Sequence, residues 1–433
     1  MSIFIYTCII KMKHNILLRI LFRIVAIFML FDGIRSNLLY GGYFSVLREA
    51  CVFWLFMIAC LTLKGDGIKQ LSTRILILFY GYYFIIGLLS MSSANSLASF
   101  IVFYKPFYFL ILSYVFFHYE KLTGESYQNY LFFILKAGVF FVILNEFLYF
   151  YELPIWKNYR PWWGRFGCGY PTMDVISLSY GVLILLFGKS FPISNFTRSC
   201  YFIILITGIF LQFTGTGILL LSILLLLSLY LYIKNKSTMH YLKYVFIFVI
   251  IVASTVPSYF ILNYPEEVKD AQYLLENKVS ILLNKEVDDN SMDIRSEQFR
   301  KNKEKYQETT FDQIIGIGLS RVTYGDEAGD PNYIFIEDQY SFYILCCGYI
   351  GFCLFLFFLY QYVLNSFNLY VYDKNVALLT LFVAIVFILN GRTLLSLVLF
   401  PNVAFWSLFY AIQRQALVKR FCLLKGMSYE NYS

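Results

Sequence analysis

Apolar runs of membrane-spanning length recur along the whole chain, and they constrain its fold more than any other feature. Several reach about 18 residues or more with few charges, which is the length of a helix that crosses a bilayer. Hydrophobic residues make up 59% of the chain and charged residues 14%, whereas about a quarter of the residues in a soluble domain are charged. The sequence therefore predicts an all-α polytopic membrane protein.

The apolar runs predict about twelve transmembrane helices. Lys and Arg in the connections set the orientation, because sixteen of them fall on one side and only five in the short loops of the other. The basic side is cytoplasmic by the positive-inside rule, so both termini are predicted to be cytoplasmic. The predicted spans are 15–33, 43–63, 73–91, 97–118, 129–151, 173–189, 199–213, 216–233, 243–263, 340–364, 375–390 and 396–413.

One long polar segment interrupts the apolar runs, between the ninth and tenth spans. Residues 264–338 hold 17 Asp and Glu against 9 Lys and Arg, a net charge of −8, while the rest of the chain carries +16. The orientation places this segment outside the cytoplasm, where the positive-inside bias leaves it acidic. The overall charge of +8 thus follows from topology, and no nucleic-acid partner is expected.

This topology divides the chain into three parts. Residues 1–263 carry nine spans and a small outer loop at 152–172, which is rich in Trp, Pro and Gly. Residues 264–339 form the large extracytoplasmic loop. Residues 340–433 carry the last three spans and a basic cytoplasmic tail.

Two helices are predicted in the large loop. The first places Val268, Leu275, Val279 and Leu282 on one face. Such an amphipathic helix either lies along the membrane surface or packs on neighbouring helices, and both interpretations stand. The second helix is predicted from Met292 to about Glu308, followed by turns at IIGIG and GDEAGDPN.

A set of cations lies on the outer side, against the positive-inside rule. Guanidinium groups bind phosphate oxygens in bidentate pairs, so the set favours an anion site with a diphosphate as its natural ligand. For each single cation the alternative is solvation or an ion pair, for example with Glu49 or Glu146. The set is Arg48, Lys105, Arg160, Arg165, Arg295, Arg300 and Arg392.

Carboxylates are the side chains expected to perform acid–base chemistry on the outer side. The three histidines, His14, His118 and His240, are all predicted on the cytoplasmic side. Glu337 and Asp338 stand where the large loop re-enters the membrane, and partial burial there favours a carboxyl group that can exchange a proton. The alternative is that they cap the next helix, since acidic residues are preferred at helix starts.

Metal and nucleotide chemistry have no sequence support. The nine cysteines are scattered, and no CxxC or Cys/His ligand set is present. GIG at 316–318 does not follow the spacing of a phosphate-binding loop. We expect no cofactor, and an external site has no ATP, so the reaction energy must come from an activated substrate.

The chain resembles the O-antigen polymerase and ligase superfamily of bacterial surface-polysaccharide assembly. It shares the span number and the two outer loops, the larger one after span nine. Arg295, in DIRSEQF, precedes the FDQIIGIG segment by about twenty residues. Glu337 and Asp338 are followed after nine residues by Gly348-Tyr-Ile-Gly351, and GRFGCGYPTMD around Arg165 is similar to a motif of the smaller loop.

The resemblance implies a GT-C-like, metal-independent and inverting glycosyltransferase in the bacterial cytoplasmic membrane. Its donor would be a glycan on undecaprenyl diphosphate, and its acceptor the non-reducing end of another lipid-linked repeat unit of an O-antigen lipopolysaccharide, capsule or related polymer. Arg160 or Arg165, with Arg295, would bind the diphosphate, and Glu337 or Asp338 would deprotonate the acceptor hydroxyl. The tyrosines of the loop would either stack on sugars or serve in packing: Tyr324, Tyr333 and Tyr340.

Departures from the family pattern separate the alternatives. Glu337 stands where ligases carry a His, which favours a polymerase over an O-antigen ligase, and the Arg common after the seventh span is missing from FTGTGILL. A flippase or transporter of lipid-linked oligosaccharide remains an alternative, as does a scaffold of the assembly machinery. Expected partners are the bilayer and the lipid-linked substrates, with a chain-length regulator and a flippase of the same pathway.

Overall fold

A computed structural model describes most of the membrane-embedded chain and part of the large loop. The described residues are 2–62, 70–89, 107–150, 169–188, 191–212, 214–234, 262, 265–282, 297, 299–301, 303–304, 307–318, 338–391 and 399–425. No β-strand forms within these ranges. Their helices are α1 (Ser2–Ser36), α2 (Gly41–Thr62), α3 (Leu71–Leu89), α4 (Tyr108–Phe117), α5 (Tyr119–Thr123), α6 (Tyr127–Phe150), α7 (Pro171–Phe187), α8 (Asn195–Leu211), α9 (Gly215–Lys234), α10 (Pro265–Leu282), α11 (Thr310–Ile315), α12 (Gln339–Leu369), α13 (Lys374–Gly391) and α14 (Phe400–Leu424).

The predicted all-α class is confirmed for the described residues, and their helices are typical of a membrane protein. Within that part of the chain, 5 helices are long and apolar enough to cross a bilayer: α2, α3, α6, α12 and α13. Helices α4, α7, α8 and α9 are apolar but shorter. Each predicted span except 243–263, of which only residue 262 is described, overlaps a helix. The total of about twelve spans stays a prediction.

The chain forms two compact units. The first contains Met1–Leu55 and Tyr119–Asp288, and the second contains Phe56–His118 and Asp289–Ser433. The predicted boundaries at residues 263 and 339 follow membrane topology, and they stay a prediction.

Helix α7 is the centre of the first unit. Nearly all of its side chains are buried, and α1, α6, α8 and α9 pack around it. A helix that is apolar on every side is expected to be enclosed in this way. The packing is close, because a Cβ on Gly208 of α8 would lie 2.9 Å from Leu178 and 3.0 Å from Val142.

The first helix of the large loop, α10, also belongs to the first unit. Its Ala271 is 5% exposed and packs in one apolar cluster with Ile34, Leu38 and Leu148, and Leu275 lies against the same cluster. Of the two interpretations of this amphipathic segment, packing on neighbouring helices is therefore the one observed. The burial anchors the start of the large loop on the first unit.

Helix α14 is the centre of the second unit. Every residue from Phe400 to Gln415 is buried, and α4, α12 and α13 pack on it. Trp406 stacks on Phe387 with ring centroids 3.6 Å apart and lies 4.7 Å from the Phe109 ring. These aromatic contacts fix the helices that carry the candidate site of this unit.

Candidate functional site

Four of the predicted site residues lie in the described part of the chain. Arg48 belongs to the first unit, whereas Arg300, Asp338 and Tyr340 belong to the second. The other predicted residues lie outside the described residues: Glu337, Arg295, Arg160, Arg165, Lys105, Arg392, Tyr324 and Tyr333.

Asp338 caps the N-terminus of α12. Its Oδ2 accepts hydrogen bonds from the Ser341 backbone N–H at 2.9 Å and from the Ser341 hydroxyl. The residue is 5% exposed, and Oδ1 is buried without a hydrogen-bond partner. The helix-capping role considered as the alternative in the sequence analysis is therefore observed. Capping uses only one of the two carboxylate oxygens. The second oxygen is held in a fixed position with its lone pairs free.

Helix α12 is interrupted at Gly348, ten residues after Asp338. Gly348 has φ +60° and ψ −169° inside the helix, a conformation that favours glycine. Non-helical backbone at membrane depth needs partners for its polar groups. The break turns Gln339 to Cys347 into a short helical segment with Asp338 at its positive end.

Residues 307–318 of the large loop supply those partners. The Ile317 N–H donates to the Leu345 carbonyl at 2.9 Å, and the Gly318 N–H donates to the Cys346 carbonyl at 3.0 Å. The Gln307 side-chain amide donates to the Ile344 carbonyl at 3.0 Å. Three carbonyls next to the break are thus satisfied by the loop.

Two glycines make this docking sterically possible. A Cβ on Gly348 would lie 2.3 Å from the Ile314 carbonyl oxygen, and a Cβ on Gly316 would lie 2.5 Å from the Gly348 nitrogen. Gly316, with φ +92°, ends α11, which confirms the turn predicted at IIGIG. Tyr82 of α3 adds a hydrogen bond from its hydroxyl to the Ile315 carbonyl at 2.7 Å. This segment of the loop is therefore fixed to two helices.

Tyr340 holds the same segment against α13. Its hydroxyl donates to the Ile388 carbonyl at 2.8 Å, and its ring lies 3.0 Å from the position of a Cβ on Gly391. These contacts correspond to the packing role that was the alternative to sugar stacking. A sugar-binding role for Tyr340 stays a prediction, and the bound sugar would have to fit beside these contacts.

Arg300 lies on an exposed helical stretch of the large loop. Its Nη2 and Nε atoms contact the Glu297 carboxylate at 2.7 and 2.9 Å, and Nη1 contacts Glu304 at 2.8 Å. Hydrogen bonds from Arg300 lower the pKa of Glu297 to about 2, so this pair persists until the pH falls toward that value. Binding of a diphosphate by Arg300 would require both carboxylates to be displaced.

Arg48 is buried in the first unit and forms ion pairs with two acidic residues. Its Nη1 contacts the Asp32 carboxylate at 2.7 Å, and its Nη2 contacts Glu49 at 2.6 Å. Arg35 contacts the same Asp32 oxygen at 2.6 Å. The ion-pair interpretation of Glu49 is thus observed, and anion binding by Arg48 stays a prediction.

Asp32 and Asp174 were not assigned to the site by sequence reasoning, although both are buried charges in apolar helices. Asp32 has two arginine partners. Asp174 and Glu146 each have a buried oxygen atom without a hydrogen-bond partner. Their position within apolar spans is the signal that marks them, because an ionisable residue there is a functional candidate by default.

No group of three His, Cys, Asp or Glu residues that could hold a metal ion forms among the described residues. The sequence matches no protein-family model and no curated protein. The function of these side chains has to be inferred from their chemistry and geometry.

Proposed function

We propose that the protein is a polysaccharide polymerase of the outer face of the bacterial cytoplasmic membrane. It transfers a glycan from undecaprenyl diphosphate to the non-reducing end of another lipid-linked repeat unit. The reaction is metal-independent and inverts the anomeric carbon. The fold proposed with it has about twelve spans and a GT-C-like arrangement.

Asp338 is the observation that carries the proposal. A general base must present a free lone pair in a fixed position, close to the proton that it abstracts. The Oδ1 atom of Asp338 is buried without a partner, while Oδ2 is locked by Ser341. The residue stands where the large loop enters α12, at the predicted outer surface. These features suit deprotonation of an acceptor hydroxyl, with Glu337 as the neighbouring alternative.

The leaving group defines the second half of the mechanism. Departure of undecaprenyl diphosphate develops negative charge on the phosphate oxygens, and preorganised cations stabilise that charge in the transition state. Arg295 and Arg160 or Arg165 are proposed for this role, with Lys105 and Arg392 as further candidates. Arg300 and Arg48 are weaker candidates, because carboxylates already occupy their guanidinium groups.

The docking of residues 307–318 supports a rigid acceptor site. They are held to α12 by backbone and side-chain hydrogen bonds, so this part of the large loop has a fixed anchor. Catalytic groups supported in this way keep their orientation during the reaction.

A flippase of lipid-linked oligosaccharide is the second candidate function. The observation that favours it is Asp174, a buried residue of an apolar helix whose Oδ2 has no hydrogen-bond partner. Intramembrane carboxylates of this kind occur in proton and ion pathways of transporters.

The test replaces Arg295 with Ala in a strain whose own copy of the gene is deleted. Loss of diphosphate stabilisation should abolish long-chain polysaccharide while single repeat units still reach the surface. Gel electrophoresis of the surface glycan measures chain length. Lys301→Ala in the same loop is the matched control, because Lys301 is exposed and its observed ion pair is with the similarly accessible Glu297. This variant should keep wild-type lengths.

Wild-type chain lengths in the Arg295→Ala strain would contradict the proposed role of this residue. Accumulation of repeat units on the cytoplasmic side of the deletion strain would instead identify a flippase.

A further inference from the structure

A cavity of about 280 Å³ lies within the second unit. This volume is close to the lower end of the range for ligand pockets, about 300 Å³, and it is far more than one water molecule needs. Residues from the end of α2, the start of α3, α4 and α14 form its wall. Most of that wall is apolar and includes Phe56, Leu76, Ile77, Leu110 and Ile111.

One end of this cavity is polar. Thr73 and Arg414 both line it, and they belong to neighbouring parts of the fold, because the Gln70 side-chain amide donates to the Arg414 carbonyl at 3.2 Å. Thr73 lies in the first turn of α3, and the apolar Leu76 and Ile77 follow one turn deeper. The cavity therefore has the polarity of an amphiphile, with a polar end at the start of α3 and an apolar interior.

Arg414 brings a positive charge to the polar end. The residue is 4% exposed, and its guanidinium carbon lies 4.3 Å from the centroid of the Phe117 ring and 5.6 Å from that of Tyr410. Ring contacts of this kind stabilise a cation and hold its side chain in place. A guanidinium carries five N–H donors, so phosphate oxygens can be added to the contacts that Arg414 makes within the protein.

The helical segments that line the cavity carry cations and no acids. Residues 56–62, α3, α4 and α14 contain no Asp or Glu, and their basic residues are Arg74, Arg414, Lys419 and Arg420. Arg74 is exposed and stands one turn before the lining residue Ile77. The positive-inside rule predicts the cytoplasmic side for this end of the helices, and the lipids of that leaflet include anionic species. The charge of the site is thus complementary to an anionic headgroup.

Ser113 adds a hydrogen-bond donor to the same wall. It lines the cavity and is 2% exposed, and its Oγ is buried without a hydrogen-bond partner. A serine within a helix often donates to the carbonyl four residues before it, but the Phe109 carbonyl accepts from the Ser407 hydroxyl at 3.2 Å. Leaving a buried hydroxyl without a partner is costly. An ester oxygen of a bound lipid would satisfy it.

We propose that this cavity binds an anionic phospholipid of the cytoplasmic leaflet. The headgroup phosphate binds to Arg414, and one acyl chain lies along Leu76 and Leu110. Ser113 donates a hydrogen bond to an ester oxygen between the headgroup and the chain. The site is separate from the glycosyl-transfer chemistry proposed for Asp338 and does not depend on it.

Lipid selectivity is the first test. The purified full-length protein is delipidated in detergent, and phosphatidylglycerol or phosphatidylcholine with identical chains is added back. Both lipids carry a phosphate, but only phosphatidylglycerol has a net negative charge. Native mass spectrometry should show one phosphatidylglycerol molecule bound about tenfold more tightly than phosphatidylcholine. Inorganic phosphate should not displace it, because free phosphate has no chain to bury.

Cys60 reports whether the lipid occupies this cavity. It is an exposed cysteine that belongs to the lining, so a bound chain should shield its thiol. Phosphatidylglycerol should slow the labelling of Cys60 by N-ethylmaleimide severalfold, as measured by peptide mass spectrometry. Cys353, which is exposed on α12, is the internal control and should be labelled at an unchanged rate.

Variants assign the selectivity to named side chains. Arg414→Gln should remove most of the roughly tenfold preference for phosphatidylglycerol. Ser113→Ala keeps the charge and should weaken the binding of both lipids by about threefold. Arg420→Gln is the matched control, because it removes one charge from the same helix, where the guanidinium donates to the Asn368 carbonyl. It should keep the wild-type preference.

Equal affinity of the wild type for the two lipids would overturn the proposal. Unchanged labelling of Cys60 at saturating phosphatidylglycerol would place the lipid elsewhere and would overturn it as well. An equal loss of preference in Arg420→Gln and Arg414→Gln would reduce the effect to general charge attraction and reject the site. Each of these results concerns lipid binding alone, so the proposed polymerase activity would stand or fall separately.

Discussion

Asp338 and Asp174 are two buried aspartates at helix starts, one in each unit, and they are held in different ways. Asp338 is fixed by hydrogen bonds from Ser341 to a single oxygen. Asp174 lies so close to Gly33 and Gly169 that a Cβ at either position would overlap its carboxylate, and the residue lines a small cavity. Each keeps one oxygen without a partner.

The difference teaches that burial and helix position alone do not define the role of an aspartate. Asp338 is the N-cap of α12, and the function proposed above gives it a large acceptor molecule as its partner. Asp174 stands among packed apolar helices beside a cavity of about 20 Å³, where only a small ion or water fits.

Asp338→Asn gives the largest expected effect. Asn caps a helix about as well as Asp, so the fold should remain while the proposed base is lost. General-base catalysis contributes about 10²–10⁴-fold, so we expect chain extension in membrane vesicles to slow by about 100-fold or more. Asp373→Asn is the control, because Asp373 caps α13 through the Val376 N–H at 3.1 Å. An unchanged rate in Asp338→Asn would transfer the role to another group such as Glu337.

Gly348→Ala tests the helix break that follows Asp338. The new Cβ would meet the Ile314 carbonyl oxygen at 2.3 Å in a backbone conformation with φ +60°. Strain of this kind costs about 1–3 kcal/mol and the backbone contact adds to it, so we expect a loss of about 3 kcal/mol in the free energy of unfolding in mixed micelles. Gly81→Ala in α3 is the control, since no atom lies within 4 Å of its Cβ position. Equal stability of the two variants would show that the break is not a fixed feature.

Gly33→Ala tests the steric support of Asp174. The added methyl group would overlap Oδ1, at 2.3 Å, and overpacking costs about 1–3 kcal/mol. We expect a loss of about 2 kcal/mol in unfolding free energy. Gly42→Ala, where nothing lies within 4 Å of the Cβ position, should leave the unfolding free energy unchanged. Equal stability of Gly33→Ala and the wild type would show that the Asp174 carboxylate moves away from the new methyl group without loss.

Ser341→Ala should have the smallest effect. It removes the hydroxyl that donates to Asp338 Oδ2 but leaves the backbone N–H bond at 2.9 Å. One side-chain hydrogen bond contributes about 1 kcal/mol, and we expect a loss of about that size in thermal or detergent unfolding. Ser222→Ala, on the exposed side of α9, provides the comparison. A drop in activity without a drop in stability would show that the hydroxyl orients Asp338 during the reaction.

The helices were accessible from sequence because hydropathy is a local property. Apolar runs predicted the positions of helices such as α6 and α13, and the helical spacing of apolar residues at the start of the large loop predicted α10. The turn at IIGIG followed from its glycines. Each of these features is encoded within a few neighbouring residues.

The contacts between side chains that are distant in sequence could not be predicted in the same way. Arg48 was assigned to an anion site, but its partner Asp32 lies 16 residues away in another helix. The break of α12 depends on Gly316, which lies in the loop and has no local relation to Gly348. Such contacts form only when segments that are distant in sequence meet in the fold. The sequence analysis could therefore identify the glycines but could not predict the contacts that they make.

The close contact between the segments that contain Gly316 and Gly348 has an evolutionary consequence. The chain leaves one anchor at Gly318 and returns to another at Asp338, and both anchors belong to α12 or its bonded partner segment. The entropic penalty of closing such a loop grows by only about 0.6 kcal/mol for each doubling of its length. The chain between the two anchors can therefore gain or lose residues with little effect on the stability of the helices that carry them. For the proposed polymerase, a change of length in that stretch would be a route to new glycans while the anchors stay constant.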